Sequence, residues 1–366
     1  MFLKLVLLNA FVVVYVKASL CDCIEWTGQS LQFPNQKEKL LCQTNGSYIS
    51  KNGLMTRGQI YENHLYGAMP RFKPGVAATL VKVSLKSKAC EASLVPFPNW
   101  EAQNEDNCEG LQSIMDIFLD PHGFLWCLDS GVVLTHTDNP IRKCPPKVVI
   151  FDLKTGKKVK TVHLSGLVVK CSRLQYLVVD YNANGKPILL ISDASLCSIL
   201  VFDVAEGKGY RLVLPKAVAN CKRDVLYLCL MQKTSGSKFL IVTYLSGSRV
   251  FSINLEDIRR GSAAGNIQDL GPKERKIVPV STDGATRLFY RHEGESDIYK
   301  WDADSELFCE GNLVYKEDNC CYLATQVMPY YAENRMMLLE SNFHDYIQGT
   351  VGCGTSQRVC PMVSYV

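Results

Sequence analysis

Long apolar runs, basic stripes, paired histidines and helix-period stretches are all scarce in this chain of 366 residues. No segment beyond the N-terminus approaches the roughly 20 apolar residues of a membrane helix, so no membrane association is expected. The net charge is a mild +4 and is spread along the sequence. Short runs such as Lys273-Glu274-Arg275-Lys276 read as solvated loop faces, and nucleic acid is not an expected partner. The histidines, His64, His122, His136, His163, His292 and His344, form no His-x-x-x-His or similar ligand pair. Cys21-Asp22-Cys23 and the vicinal Cys320-Cys321 lack a second pair at finger or ribbon spacing. Neither a metal nor a cofactor is therefore expected. Asp129-Ser130-Gly131 lacks the flanking glycines of a serine-hydrolase elbow, and no histidine stands where a triad would be forced.

What is present begins with "MFLKLVLLNAFVVVYVKAS". One lysine, an apolar run of roughly a dozen residues, and Val16 and Ala18 at the positions a signal peptidase prefers read as a secretory signal. Residues 1–18 are expected to be removed between Ala18 and Ser19, leaving 19–366 as a secreted, extracellular single domain. The 16 cysteines then imply a disulfide framework of undetermined connectivity. Asn45-Gly46-Ser47 is the one glycosylation sequon and marks Asn45 as a candidate glycan site.

A unit of strand, turn, strand, turn recurs along the rest of the chain. "LQSIMDIFLDPHGFLWCLDSG" leading to "KVVIFDLKTGKKVKTVHL" is one copy, and "LQYLVVDYNANGKPILLISDASLCSILVFDVAEGKGYRLV" runs the same course. Corresponding turns fall near Pro70, Asp129, Asp193, Tyr244, Arg291 and Ser341, with gaps of roughly 47 to 64 residues, as four-stranded blades require. The expected fold is all-β, a six-bladed β-propeller; an array of sandwiches would not give so steady a repeat. Closure is expected to pair a strand around "EWTGQSLQF" with the last blade. Leu255 to Arg260 is the one short helix candidate.

Turns that follow every second strand share one face of such a ring. Asp129, Asp193, Tyr244, Arg291 and Asn342, with Phe343 beside the last, are therefore candidate walls of a ligand site at one mouth of the channel. His292 and His344 lie next to these turns, and either of them or Asp129 is a candidate acid or base. Asp-Ser-Gly is also simply a good turn, because Asp accepts backbone N–H bonds and Gly supplies positive φ. Cys127, inside a run with little polar alternation, reads as a core or disulfide residue of an inner strand spanning Phe124 to Leu128.

These residues carry a resemblance. "PRFKPGVAATL" (Pro70 to Leu80), "PFPNW" (Pro96 to Trp100), "CEGLQSI" (Cys108 to Ile114), "LWCLDSG" (Leu125 to Gly131) and "CPPKVVIFDLKT" resemble blocks of the Yellow / major royal jelly protein family of insects. The resemblance implies the same six-bladed propeller and three possible roles. One is a structural or binding component in the assembly, hardening or melanisation of an eggshell or cuticle matrix, with other matrix proteins or a family paralogue as partners. Another is a dopachrome-converting enzyme, and the third a channel that binds a biogenic amine. His122, Cys127 and the Leu339-Glu340-Ser341-Asn342-Phe343 run depart from the family pattern. So do the additional Cys21, Cys23, Cys197, Cys229, Cys320, Cys321, Cys353 and Cys360, which resemble the cysteine-rich eggshell branch. Of these, Cys21, Cys23, Cys353 and Cys360 lie near the termini, where bridges within or between chains are both open.

Overall fold

Apolar runs broken by Gly, Asn and Asp turns fold here as six four-stranded antiparallel sheets. The structure is a computed structural model that describes residues 23–87, 92–309, 311–317, 321–352 and 354–362. The expected leader, Cys21, Cys320 and Cys353 lie outside the described residues.

An N-terminal strand β1 (Ile24–Thr27) precedes the first blade, which is β2 (Arg57–Tyr61), β3 (His64–Ala68), β4 (Leu80–Ser84) and β5 (Val95–Pro96). Blade two starts with β6 (Ile114–Leu119) and β7 (Phe124–Asp129). After a small hairpin of β8 (Val132–Val133) and β9 (Ile141–Arg142), it continues with β10 (Lys147–Asp152) and β11 (Lys157–His163). Blade three is β12 (Leu174–Tyr181), β13 (Pro187–Asp193), β14 (Ser198–Asp203) and β15 (Lys208–Val213). Blade four is β16 (Leu226–Gln232), β17 (Lys238–Tyr244), β18 (Arg249–Asn254) and β19 (Ile267–Pro272). Blade five is β20 (Ile277–Thr282), β21 (Arg287–His292), β22 (Ile298–Asp302) and β23 (Asn312–Tyr315). Blade six is β24 (Leu323–Tyr330), β25 (Arg335–Ser341) and β26 (Ser356–Met362), completed by β1. The innermost strands β2, β6, β12, β16, β20 and β24 touch in succession, and β24 returns to β2, so the ring closes around a central channel.

The repeat read from the sequence therefore lands where expected, at the ends of the second strands. Among the described residues helices are few and short: α1 (Gln36–Thr44), α2 (Lys216–Ala219), α3 (Leu255–Arg259) and α4 (Phe343–Gln348). The expected helix at Leu255 is α3, capped by the Asn254 side chain, which accepts from the Glu256 N–H.

Strand β7 shows why so little polar alternation survives. Leu125 and Cys127 pack with Tyr66, Ala68 and Leu80 of blade one. Trp126 and Leu128 pack with Leu177 and Leu189 of blade three. Each face of the strand meets a neighbouring blade, so every position from Leu125 to Leu128 is apolar. Burial pushes the Cys127 thiol far up, which leaves it an inert core residue.

Closure uses β1, whose Ile24 pairs with Val359 of β26. One step beyond that pair, Cys23 and Cys360 form a disulfide across a sequence separation of 337. Of the two alternatives left open for these cysteines, the bridge within one chain is the one formed, because the ladder holds them opposite each other. A second disulfide, Cys108 to Cys144, fastens the entry loop of blade two. Arg71, in the "PRF" block, is buried and donates to the carbonyls of Val76, Leu111, Gln103, Ala77 and Gln112, so it gathers loops from blades one and two.

Candidate functional site

The residues read as rim candidates are mostly consumed by the fold. Asp129 is fully buried at the end of β7. Its oxygens accept the N–H groups of Gln112 (2.8 Å), Ser113 (2.9 Å) and Gly131 (3.0 Å), and Lys147 Nζ stands 3.7 Å away. Gly131 has φ +66°, and a Cβ there would lie 2.0 Å from the Cys144 carbonyl oxygen. Asp193 accepts the Arg173 N–H at 2.9 Å and pairs with Arg211 at 2.8 Å. Tyr244 is buried and donates to the Ala194 carbonyl at 2.7 Å. Asn342 Oδ1 accepts the Ser356 N–H at 2.9 Å, and Phe343 packs on the small cluster of Leu54, Phe72 and Tyr346.

His292 is buried against Tyr290 and Tyr299 within blade five, whereas His344 is exposed on α4. Among the described residues, none of His292, His344 and Asp129 lines the channel cavity. The three candidate acid or base groups are thus not brought together. Arg291 does not line that cavity either: it is buried, its Nε donates to the Ala324 carbonyl at 2.8 Å, and its charge acts through space on Tyr227, Tyr176 and Arg57.

The channel itself holds a cavity of about 100 Å³, with Arg57, Asp116, Phe118, Tyr176, Cys229 and Gln326 among its walls. That is room for several ordered waters. Arg57 donates to the Tyr176 hydroxyl and to the Thr325 carbonyl (3.1 Å), and its Nε lies 3.7 Å from Asp116 Oδ1. The guanidinium also covers the Tyr176 ring at 4.6 Å, and that ring lies 5.2 Å from the ring of Tyr227. Burial pushes the Asp116 carboxyl up to about 6, against the opposing pull of Arg57 and of the Leu177 and Ile117 N–H groups. Burial disfavours the Arg57 charge, yet Tyr176 and Asp116 outweigh it and hold the guanidinium protonated. Burial also carries Tyr176 and Cys229 each up to about 12, so both stay neutral at ordinary pH.

Bulges lie beside Asp116, Tyr176 and Gln326, whereas Arg57 and Cys229 sit in strands of regular register. The register shifts beside Met115 in β6, between Leu174 and Leu177 in β12, between Pro279 and Ser281 in β20, and beside Thr325 in β24. An extra residue in a strand re-aims the side chains around it. The sequence reading missed Arg57, Asp116, Tyr176 and Gln326 because it followed the turns. The available signal was a polar side chain interrupting the first apolar run of successive repeats, as Asp116 does in "IMDIFL".

A family model described as major royal jelly protein matches residues 112–360. Dopaminechrome tautomerase of Drosophila melanogaster is 31% identical over 173 residues, which are 46% of this chain and 37% of that protein. Protein yellow of Drosophila melanogaster is 31% identical over 146 residues, 39% of this chain and 26% of that protein. The matched stretches thus span well under half the length of either relative. Among solved structures, a regucalcin from Agrobacterium tumefaciens is similar at a TM-score of 0.47 and 12% identity, covering 86% of this chain and 93% of that one.

Proposed function

This chain belongs to the major royal jelly protein family, and on that footing we propose that it is a secreted binding component of an eggshell or cuticle matrix. In this reading its channel holds the oxygen-bearing end of a small catechol-derived molecule. The observation that carries the reading is the buried Arg57, Tyr176 and Asp116 group on the cavity wall.

Charge selects the ligand class. Arg57 sets a guanidinium on the cavity wall beside a carboxyl that burial moves toward its neutral form, and the buried Arg291 adds positive charge within electrostatic reach of Arg57. Carboxylate, phenolate or quinone oxygens suit that field. An aromatic ammonium fits less well, because Asp129 and Asp193, the carboxylates expected to meet it, are already satisfied. Tyr176 and Tyr227 supply aromatic faces nearby.

Calorimetry with two probes, 3,4-dihydroxybenzoate and dopamine, tests the reading. Heat with the first that Arg57→Leu abolishes is expected. Heat with dopamine alone would return the amine-binding reading, and silence with both would remove ligand binding. For the matrix role, Cys171 and Cys309 are exposed and carry no disulfide among the described residues, so both are thiols open to bridges between chains. Non-reducing electrophoresis of matrix extracts should then show reductant-sensitive multimers.

A second reading rests on Asp116. A carboxyl that titrates near 6 inside a channel can accept and return a proton, as a tautomerisation requires. The printed name of one relative, dopaminechrome tautomerase, points the same way. Purified protein that leaves the decay rate of dopaminechrome unchanged removes this reading.

A further inference from the structure

Outside the channel, a group of thiol and hydroxyl side chains sits at the junction of blades three and four. Cys197 ends the turn between β13 and β14 with a left-handed backbone, φ +47°. Its carbonyl accepts the Leu214 N–H at 2.8 Å, just past β15. From there the chain makes the single turn of α2 and reaches Cys221, whose Sγ lies 3.8 Å from the Val218 carbonyl oxygen. Cys197, Val218 and Tyr244 are buried in one apolar cluster, and Cys221 packs against it. The Tyr244 hydroxyl lies 3.2 Å from Cys197 Sγ, and both thiols act on that hydroxyl electrostatically. Cys221 also feels Cys197 directly. The turn of α2 thus brings Cys221, a free thiol here, against the cluster that holds the free thiol of Cys197, whose sulfur meets the Tyr244 hydroxyl.

We propose that Cys197 and Cys221 are joined by an intramolecular disulfide in the secreted protein. The inference rests on the secreted reading, because that bond needs an oxidising compartment. The step is thiol–disulfide exchange with a small-molecule disulfide. Cys221 is only half-buried and is the entry point. Its thiolate attacks the small disulfide, forms a mixed disulfide and releases one small thiol. Cys197 then loses its proton, attacks the Cys221 sulfur and releases the second. Two cysteine thiols are oxidised and one small disulfide is reduced to two thiols, so atoms and electrons balance. The new bond ties the turn after the second strand of blade three to the segment that enters blade four.

Cys171 is the rival partner. It lies near the same rim, since the Arg173 side chain donates to the carbonyls of Arg223 and Asp224. Yet it is exposed and stands outside the cluster that holds Cys197.

The test uses the full chain secreted from eukaryotic cells, denatured and alkylated without reduction, then digested for mass spectrometry. The Cys23–Cys360 peptide, recovered linked, certifies that the sample passed through an oxidising compartment. In such a sample the expected result is a linked Cys197–Cys221 peptide, with Cys221 becoming alkylatable in Cys197→Ser. Recovery of Cys197 and Cys221 both alkylated, or of Cys221 linked to Cys171, overturns the proposal. A sample in which the Cys23–Cys360 peptide is itself reduced would count against the secreted reading rather than against the pairing, which is then decided on the same protein after oxidation by glutathione disulfide.

Discussion

The Arg57 guanidinium donates to the Tyr176 hydroxyl and stands 3.7 Å from Asp116 Oδ1, so one side chain links the innermost strands of three successive blades. Its charge and the half-titrated carboxyl beside it make the channel sensitive to pH. Asp116 gains its proton as pH falls through about 6, and the net positive charge of the channel then rises. Affinity for 3,4-dihydroxybenzoate should climb by about tenfold between pH 7.5 and 5.5, the order expected when a neighbouring charge is neutralised. In Asp116→Asn the profile should be flat and high. Titration calorimetry across that range decides, and a climb that persists in Asp116→Asn assigns the effect to another group.

A second pH effect acts on stability. Arg358 at the seam of blades five and six donates to Glu340 Oε2 (2.8 Å) and Glu317 Oε2 (2.7 Å), and burial pushes the Glu340 carboxyl up to about 8. A folded pKa above the unfolded one means stability that is complete below about pH 4.5 and lost as pH rises through about 8. Asp116 acts in the same direction, through about 6. The urea midpoint should therefore fall steadily from pH 5 to pH 9. Glu340→Gln should flatten the upper half of that decline, and a wild-type midpoint that rises with pH contradicts the assignment.

Opening the Cys23–Cys360 bond should cost about 2 to 5 kcal/mol, because a long loop of the unfolded chain is freed. Equilibrium unfolding of Cys360→Ser measures it. Wild-type protein in reductant should move toward the variant; unchanged stability in both would show that the β1 ladder holds the ring without the bond.

Asp129→Ala should destabilise by about 3 kcal/mol or more, since it strands several buried N–H donors at once. Gly131→Ala should also destabilise, because its Cβ meets the Cys144 carbonyl oxygen and its φ is positive. Thermal melts should report both losses, with probe affinity unchanged in the protein that remains folded. A variant of Asp129 that binds weakly yet melts normally would restore the residue to the ligand site.

How far the sequence disclosed this molecule depends on the kind of signal. The blade period was legible because turn chemistry at Asp129, Asp193 and Ser341 recurs at the ends of second strands, where any propeller must turn. The closing strand was legible from its isolated position before the first repeat. The channel wall was not, because Asp116 and Tyr176 are separated by about a blade of sequence and meet only through the ring. Local bulges, which no residue type announces, then aim them inward. Turn aspartates looked available for the same reason that they are not: the side chain that makes a good turn is the one whose oxygens the turn occupies.

The joined ends of the chain have a mechanical meaning. Tension applied at the N-terminus reaches Cys360 through one covalent bond, without first peeling β1 from β26. A chain pulled through Cys23 is then loaded across that staple directly onto β26 of blade six, and β1 is bypassed.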